Sequence, residues 1–515
     1  MSEKFTWQPL DRVAISLMLV LSCLIALLLW QGEQVAPRVR EFSWQDRQIG
    51  VDDTAFILTF SRPMDMKSVE DNLVIEPLLP GKTSWAGRRF AYTLTLPAPY
   101  GTAFQVKLAN AKEQIGTTVA ADAPPMQPFV GQFRTRDRAF AYIGVTGEAA
   151  GRLVLNNLTQ QQSKILTPAE WVVLDFQPYP QGDRLLFSAI ERAALRQGSL
   201  EQRLYTVTTG IAPEASHRWR FPLGNATPTN PPAPGVIEPV LDSQGFQNLQ
   251  FDLARDGSAI VVRRVNKENP ADFGLWVVRP GQAPQRLDSE PGGDFLITPD
   301  SRAIAVAQGQ GIALLPLHAE TQPSATGGQD KLLEFLPKFS QALSFTRDGT
   351  TAAMVKFNTD FTRSLYLINN RGDQKELLRF QGSIQAAQFD PTQRWLYCLL
   401  AEVVEGEGYR EQPFLAAIDL ETEELVPLVL LPEQQGIQMN LAPDGLALLF
   451  DQPLAVDTPD AKLAEAPRGR DGRPIADSRL WFLPLDPAIL ATRDPASQLK
   501  PEALPIVGFN PRWLP

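Results

Sequence analysis

After residue 170 the chain repeats one hydrophobic pattern: an apolar run, a short polar turn and a second apolar run. It reads FQPYPQGDRLLFS from Phe176, FDLARDGSAIVV from Phe251, LITPDSRAIAV from Leu296, SFTRDGTTAAMV from Ser344, QFDPTQRWLYCL from Gln388 and NLAPDGLALLF from Asn440. Each copy predicts two β-strands joined by a tight turn, because Asp-Gly and Pro-Asp supply a turn geometry that β-branched residues resist. The last five turns centre near Asp256, Asp300, Asp348, Thr392 and Asp444, a period of roughly 44 to 52 residues. A third alternating run follows most copies, as in RLYTVTT from Arg203, SLYLINN from Ser364 and RLWFLPL from Arg479, and a fourth short strand such as QKELLRF from Gln374 usually completes the unit.

Four short strands recurring at this period resemble the β-propeller repeats of the TolB and WD-repeat-like class, over about two-thirds of the chain. The ends are read together. Residues 139–167 hold AFAYIGV, RLVLNNL and SKILTP, three strands with no first strand before them, and PIVGFNPRWLP from Pro505 is a first strand with nothing after it. The expectation is a seven-bladed propeller over residues 137–515 whose last blade is shared between the C-terminal strand and residues 139–167, a closure that removes open sheet edges. The alternative is six blades with stray terminal segments.

Ahead of the repeats, strand patterns run through TAFILTFSRPMD from Thr54, SVEDNLVIEP from Ser68, TSWAGRRFAYTLTLP from Thr83, GTAFQVKLAN from Gly101 and FVGQFRTR from Phe129. With Phe60-Ser61-Arg62-Pro63-Met64-Asp65, Pro77 with Trp85, and Gly101-Thr102-Ala103-Phe104, residues 41–136 resemble the bacterial immunoglobulin-like domain of surface-layer and envelope proteins. That resemblance implies a β-sandwich spacer or attachment module, without catalytic residues, outside the cytoplasm.

Val13 to Trp30, VAISLMLVLSCLIALLLW, is an uncharged apolar run of 18 residues. At 1.5 Å per residue it spans about 27 Å, near the thickness of a bilayer core, with Trp30 at an interfacial position. It predicts a single transmembrane helix over residues 13–30, between a cytoplasmic tail (1–12) and a linker (31–40). A cleaved signal peptide and a lipoprotein acylated at Cys23 are the alternatives. The flanking positive charges, Lys4 and Arg12 before, Arg38, Arg40 and Arg47 after, do not fix orientation. The signal-anchor layout predicts an inner-membrane protein with its C-terminal domains outside the cytoplasm.

A net charge of −10 argues against nucleic acid as a partner, since phosphate binding needs a basic face. Cys23 and Cys398 are the only cysteines and lie in unrelated segments, so no disulfide framework or cysteine metal site is expected. His217 and His318 stand about 100 residues apart without a metal-binding pattern. No GxSxG nucleophile elbow occurs, and GQG at Gly309–Gly311 and GEG at Gly406–Gly408 read as hairpin turns rather than phosphate loops. No catalytic, cofactor or metal residue is assigned.

The loops carry more information. In a four-stranded antiparallel blade the second and fourth strands run the same way, so the loops leaving them emerge on one face. The long segments are placed there: GNATPTNPPAPGVIEPVLDSQG (224–245) after a fourth strand, and after second strands ERAALRQGSLEQ from Glu191, NKENPADF from Asn266, EGEGYREQ from Glu405 and the excursion 455–478. Long loops gathered on one face predict a docking surface. Its candidate partner-binding residues are Glu405, Glu407 and Tyr409 on one loop, Arg468, Arg470 and Arg473 on another, and Pro231 and Pro232 on a third. The sequence thus predicts a membrane-anchored, non-catalytic scaffold binding an envelope protein or peptide. The alternative is a propeller enzyme or ligand-binding protein working on a glycan or peptide in the central channel.

Overall fold

The computed structural model describes residues 9–515 except 34–35, 116–117, 120–124, 200, 213–231, 291, 310, 318–334, 405, 407, 457–465, 470–471 and 493–498. It divides into two compact units, residues 1–98 with 102–136, and residues 99–101 with 137–515.

One expectation fails at the N-terminus. Among the described residues no helix is long and apolar enough to cross a membrane. Helix Pro9–Glu33 runs through the apolar segment, and the side chains of residues 13–25 within it are exposed. The transmembrane span from Val13 to Trp30, the membrane as a partner and the inner-membrane placement built on it do not hold.

The first unit carries two four-stranded sheets. One is ordered Val39–Phe42, Ala55–Phe60, Arg89–Leu94, Gly81–Ala86, and the other Gln48–Ile49, Phe129–Thr135, Ala103–Leu108, Leu73–Glu76. Ala55–Phe60 alternates half-buried and buried along its length, the period of a strand with one face in a core. That core holds Trp44, Phe56, Phe60, Phe90, Phe104 and Phe133. The phrase around Pro63 is structural: Phe60 and Met64 are buried, and the Asp65 carboxylate accepts the Ser68 N–H at 2.8 Å, capping helix Met66–Asn72.

The second unit is built from meanders. Blade 1 comprises Trp171–Pro178, Arg184–Glu191, Arg203–Thr208 and Ile237–Leu241; blade 2 Phe246–Leu253, Ile260–Asn266, Phe273–Val278 and Gln285–Arg286; blade 3 Phe295–Ile297, Ala303–Gln308, Gly311–Pro316 and Phe335–Pro337. Blade 4 comprises Gln341–Phe345, Thr351–Phe357, Arg363–Asn369 and Gln374–Phe380; blade 5 Gly382–Phe389, Trp395–Val403, Glu411–Asp419 and Leu425–Leu430. The last strand, Glu502–Trp513, does double duty. Its first half pairs with Ile475–Pro484 and completes blade 6, which begins with Met439–Leu441 and Ala447–Ala455. Its second half pairs with Ala139–Gly144, Phe140 opposite Trp513, and so opens blade 7, which continues through Leu153–Asn157 and Gln162–Ile165. The first strands of successive blades are neighbours all the way round, from 508–513 to Trp171–Pro178 and on to Met439–Leu441. This is a closed ring of seven blades.

Burial follows position in the blade. Second strands are covered on both faces by neighbouring blades, so Arg184–Glu191 is buried at every position between its ends and Trp395–Val403 over its first seven residues. Outermost strands see solvent, and Gln162–Ile165 is exposed throughout. The turns follow their residues as well. The Asp256, Asp300, Asp348 and Asp444 carboxylates each accept the backbone N–H two residues on, at 2.9 to 3.1 Å. Gly257, Gly349 and Gly445 follow three of them at φ of +72° to +74°, where a Cβ would be strained.

Polar side chains on the first strands stitch one blade to the next. The Gln177 amide donates to Asp252 Oδ1 at 3.1 Å and its carbonyl accepts the Leu253 N–H at 2.9 Å, while Asp252 Oδ2 accepts the Ile297 N–H at 2.7 Å. Gln388 Oε1 accepts the Leu441 N–H at 2.7 Å, and Asn440 Oδ1 accepts the Trp513 N–H at 2.7 Å. Gln177, Asp252, Gln388 and Asn440 all stand four residues before a turn centre, so one repeat position supplies the seam in four blades.

Candidate functional site

The structure keeps the loops from Glu191, Asn266, Glu405 and Ala455 together as connections between second and third strands, and takes one loop out of the group that the sequence formed. Segment 224–245 does not follow a fourth strand: it contains one, Ile237–Leu241, and the residues ahead of it connect the third strand of blade 1 to the fourth. Pro239 hides that strand in the sequence. On an edge strand proline forfeits no ladder bond, and here it sits opposite Tyr205 at a register shift. The 3–4 connection emerges opposite to the 2–3 loops, so Pro232, exposed ahead of this strand, lies on the other face from Tyr409. Pro231, Glu405, Glu407 and Arg470 lie outside the described residues, as do His217 and His318.

Three of the remaining residues converge. Arg410, next to Tyr409, pairs with Glu433 at 3.5 Å, and Arg473 donates to Gln435 Oε1 at 3.0 Å. The connection 431–438 that leaves blade 5 therefore bridges the Tyr409 loop to the hairpin carrying Arg468 and Arg473. Arg468 is spent on that hairpin: it is half-buried, its Nη1 donates to the Gly472 carbonyl at 2.9 Å, and its backbone bridges Pro474. Tyr409 is 72% exposed. Its hydroxyl donates to Glu411, a bond that raises the phenol pKa above its usual value, with burial adding to the rise and Arg363 opposing it.

Arg363 leads to what the sequence did not show. On the same face, blades 4 and 5 carry a group of apolar side chains near it. Phe357 and Arg363 are cross-strand partners, with the guanidinium 5.2 Å from the Phe357 ring centre. Arg363 in turn pairs with Phe380, whose ring meets Phe414 edge-on at 6.1 Å across the blade boundary, and Phe414 pairs with Leu430. Phe357 is 57%, Leu430 73% and Phe361 94% exposed.

Phe361 is the most costly of these. It sits in the loop 358–362 at φ +64°, a left-handed conformation that is a true outlier for a bulky side chain and costs about 1–3 kcal/mol. The loop holds it there. The Asn358 N–H donates to the Thr362 carbonyl at 2.9 Å, and the Asn358 side chain to Thr362 Oγ1 at 3.0 Å and Ser364 Oγ at 2.8 Å. Asp360 accepts from the Thr362 hydroxyl at 2.6 Å and from Arg379 at 2.5 Å, and these bonds lower its pKa to about 2.

The innermost strands hold the other charged cluster, Asp175 with Asn510 at 2.9 Å and Arg512 at 3.2 Å. Arg512 also stacks on Phe176 at 5.8 Å, and its charge acts on Asp252, whose pKa is raised by burial against its hydrogen bonds. These groups bond mainly to one another and to strand backbone, as seam residues do. Among the described residues no group of three or more His, Cys, Asp or Glu side chains is placed to hold a metal.

The ring defines the class of protein: a seven-bladed β-propeller closed by a shared blade. Solved structures that the chain resembles include TolB from Acinetobacter baumannii, at 10% identity and TM-score 0.38 over 86% of this chain and 83% of that one. A hypothetical selenium-binding protein from Sulfolobus tokodaii matches at 11% identity and TM-score 0.43 over 74% of this chain and 92% of that one. Prolyl oligopeptidase B from Galerina marginata matches at 8% identity and TM-score 0.42 over 73% of this chain and 52% of that one. No family model and no curated protein matches the sequence. At these scores the fold assignment rests on the ring of strands itself.

Proposed function

We propose that this protein is a non-catalytic interaction scaffold that holds a protein or peptide partner on the 2–3 loop face of blades 4 and 5. The observation that carries this reading is Phe361, which combines near-complete exposure of an aromatic ring with a left-handed backbone. Each feature costs free energy in the isolated chain, and a bonded loop maintains both. Strain held in place by its surroundings marks binding sites, where the cost is recovered on contact. Phe357, Tyr409 and Leu430 around it give the aromatic-rich composition of interface hot spots. The first unit, with its two four-stranded sheets, is read as an immunoglobulin-like accessory module without chemistry of its own.

The test is co-purification from cells with the full chain as bait, comparing wild type with Phe361→Asn and Tyr409→Ser. Partners retained by wild type and lost from both variants support the scaffold reading. An identical set of partners from all three overturns it.

A further inference from the structure

Three described carboxylates near the patch are engaged. Asp360 is held by Thr362 and Arg379, Glu411 by Tyr409 and by Ser383 at 2.6 Å, and Glu376 by Ser364 at 2.9 Å and Tyr366 at 2.7 Å. Arg363 is different. Among the described residues it has no ion pair or hydrogen bond from its guanidinium; its contact is the face of Phe357. Stacking on a ring fixes the plane of a guanidinium while leaving its N–H groups directed outward, the arrangement in which arginine receives a carboxylate through two parallel bonds.

Building on the scaffold reading, we propose that the patch takes a partner segment carrying a single carboxylate among aromatic or aliphatic side chains, and that Arg363 pairs with that carboxylate. Charge complementarity sets the occupant. An apolar partner alone would bury the Arg363 cation without a counter-charge, which costs more than its neighbours return. An acidic tract would be repelled at long range by a chain of net charge −10. One carboxylate flanked by apolar residues satisfies both limits, with Phe361, Tyr409 and Leu430 taking the apolar side chains and Arg363 setting register.

The probe is a displayed library of random peptides about twelve residues long, selected on the full-length protein. The expected consensus places Asp or Glu beside an aromatic or aliphatic residue. For a selected peptide, Arg363→Gln should weaken binding about tenfold. Replacing the peptide carboxylate by its amide should cost wild type the same factor and cost Arg363→Gln nothing further, since the two groups then act as one interaction. Melting curves verify that the variants are folded. Binders that need Phe361 but carry no acidic residue, or show no coupling to Arg363, overturn this inference and leave the scaffold reading standing. If no selected peptide depends on Phe361, both fall.

Discussion

The Asn510 side-chain amide donates to Asp175 Oδ1 across 2.9 Å, tying a residue near the C-terminus to the first strand of blade 1. Arg512 reaches the same oxygen at 3.2 Å, and Asp451 Oδ2 accepts the Asn510 N–H at 2.6 Å from the blade 6 side. The final strand is thus bonded to the blades on both sides of it, besides pairing within two of them.

Removal of residues 508–515 should open the ring. The deletion takes away buried Phe509, Trp513 and Leu514, each worth about 1.5–3 kcal/mol, along with the edge protection of blade 7. That sum approaches the total stability of an ordinary domain. The expected outcome is loss of the cooperative thermal transition or aggregation on purification. A melting temperature within a few degrees of wild type would refute the closure.

Asp175→Ala should destabilise by about 1–3 kcal/mol, because it removes the acceptor of the Asn510 amide and the carboxylate that pairs with Arg512 at a partly buried seam. Gln388→Ala should cost about 1–3 kcal/mol, because it removes two hydrogen bonds, the Leu441 N–H to Oε1 and Nε2 to the Met439 carbonyl. Asp175 and Gln388 lie on different seams, so denaturant midpoints should show the two losses adding.

Phe361→Asn should leave the fold as stable as wild type or raise it by about 1 kcal/mol, because asparagine tolerates the left-handed conformation that phenylalanine resists. The same variant should lose partner binding. Gain of stability with loss of binding is the combination expected of a strained contact residue; a destabilised variant would place Phe361 among packing residues instead.

Asp360 gives the patch loop a defined pH response. Its folded pKa is lowered from 3.8 to about 2 by the Thr362 hydroxyl first and Arg379 second. A lowered carboxylate contributes stability that is present above its unfolded value and lost as pH falls through the folded one. The difference in melting temperature between wild type and Asp360→Asn should therefore be constant above about pH 5 and shrink towards pH 2. A difference independent of pH down to 2 would rule out the ionised network.

Burial pushes the Cys398 thiol up to about 12, so almost no thiolate exists at pH 8. Thiol reagents should leave Cys398 unmodified in the native protein and label it once the chain is unfolded in denaturant, as followed by mass spectrometry of the peptide containing it.

The local pieces are legible from residue order alone: the turns, through Asp-Gly chemistry at Asp256, Asp348 and Asp444, and the strand pairs flanking them, through alternating or continuous apolar runs. Residue order also carried the division of one blade between the chain ends, because residues 139–167 offer three strands and residues 505–515 the missing one. These are legible because turn geometry and strand period depend on neighbours in sequence. Three things required the tertiary structure. The fourth strand of blade 1 was masked by Pro239, whose tolerance follows from lying at a sheet edge, a position that only pairing defines. The grouping of Pro232 with the Tyr409 loop failed for the same reason, since a miscounted strand reverses the face on which a loop emerges. The patch itself was invisible, because Phe357, Arg363, Phe380, Phe414 and Leu430 come from five strands of two blades, and hydrophobic residues there follow the same alternation as core residues elsewhere. Phe357 and Leu430 are exposed at the ends of their strands while Phe380 and Phe414 lie half-buried behind them, and among the described residues Arg363 has no ion pair. Exposure and satisfied valence are properties of the assembled ring, set by contacts between segments far apart in the chain.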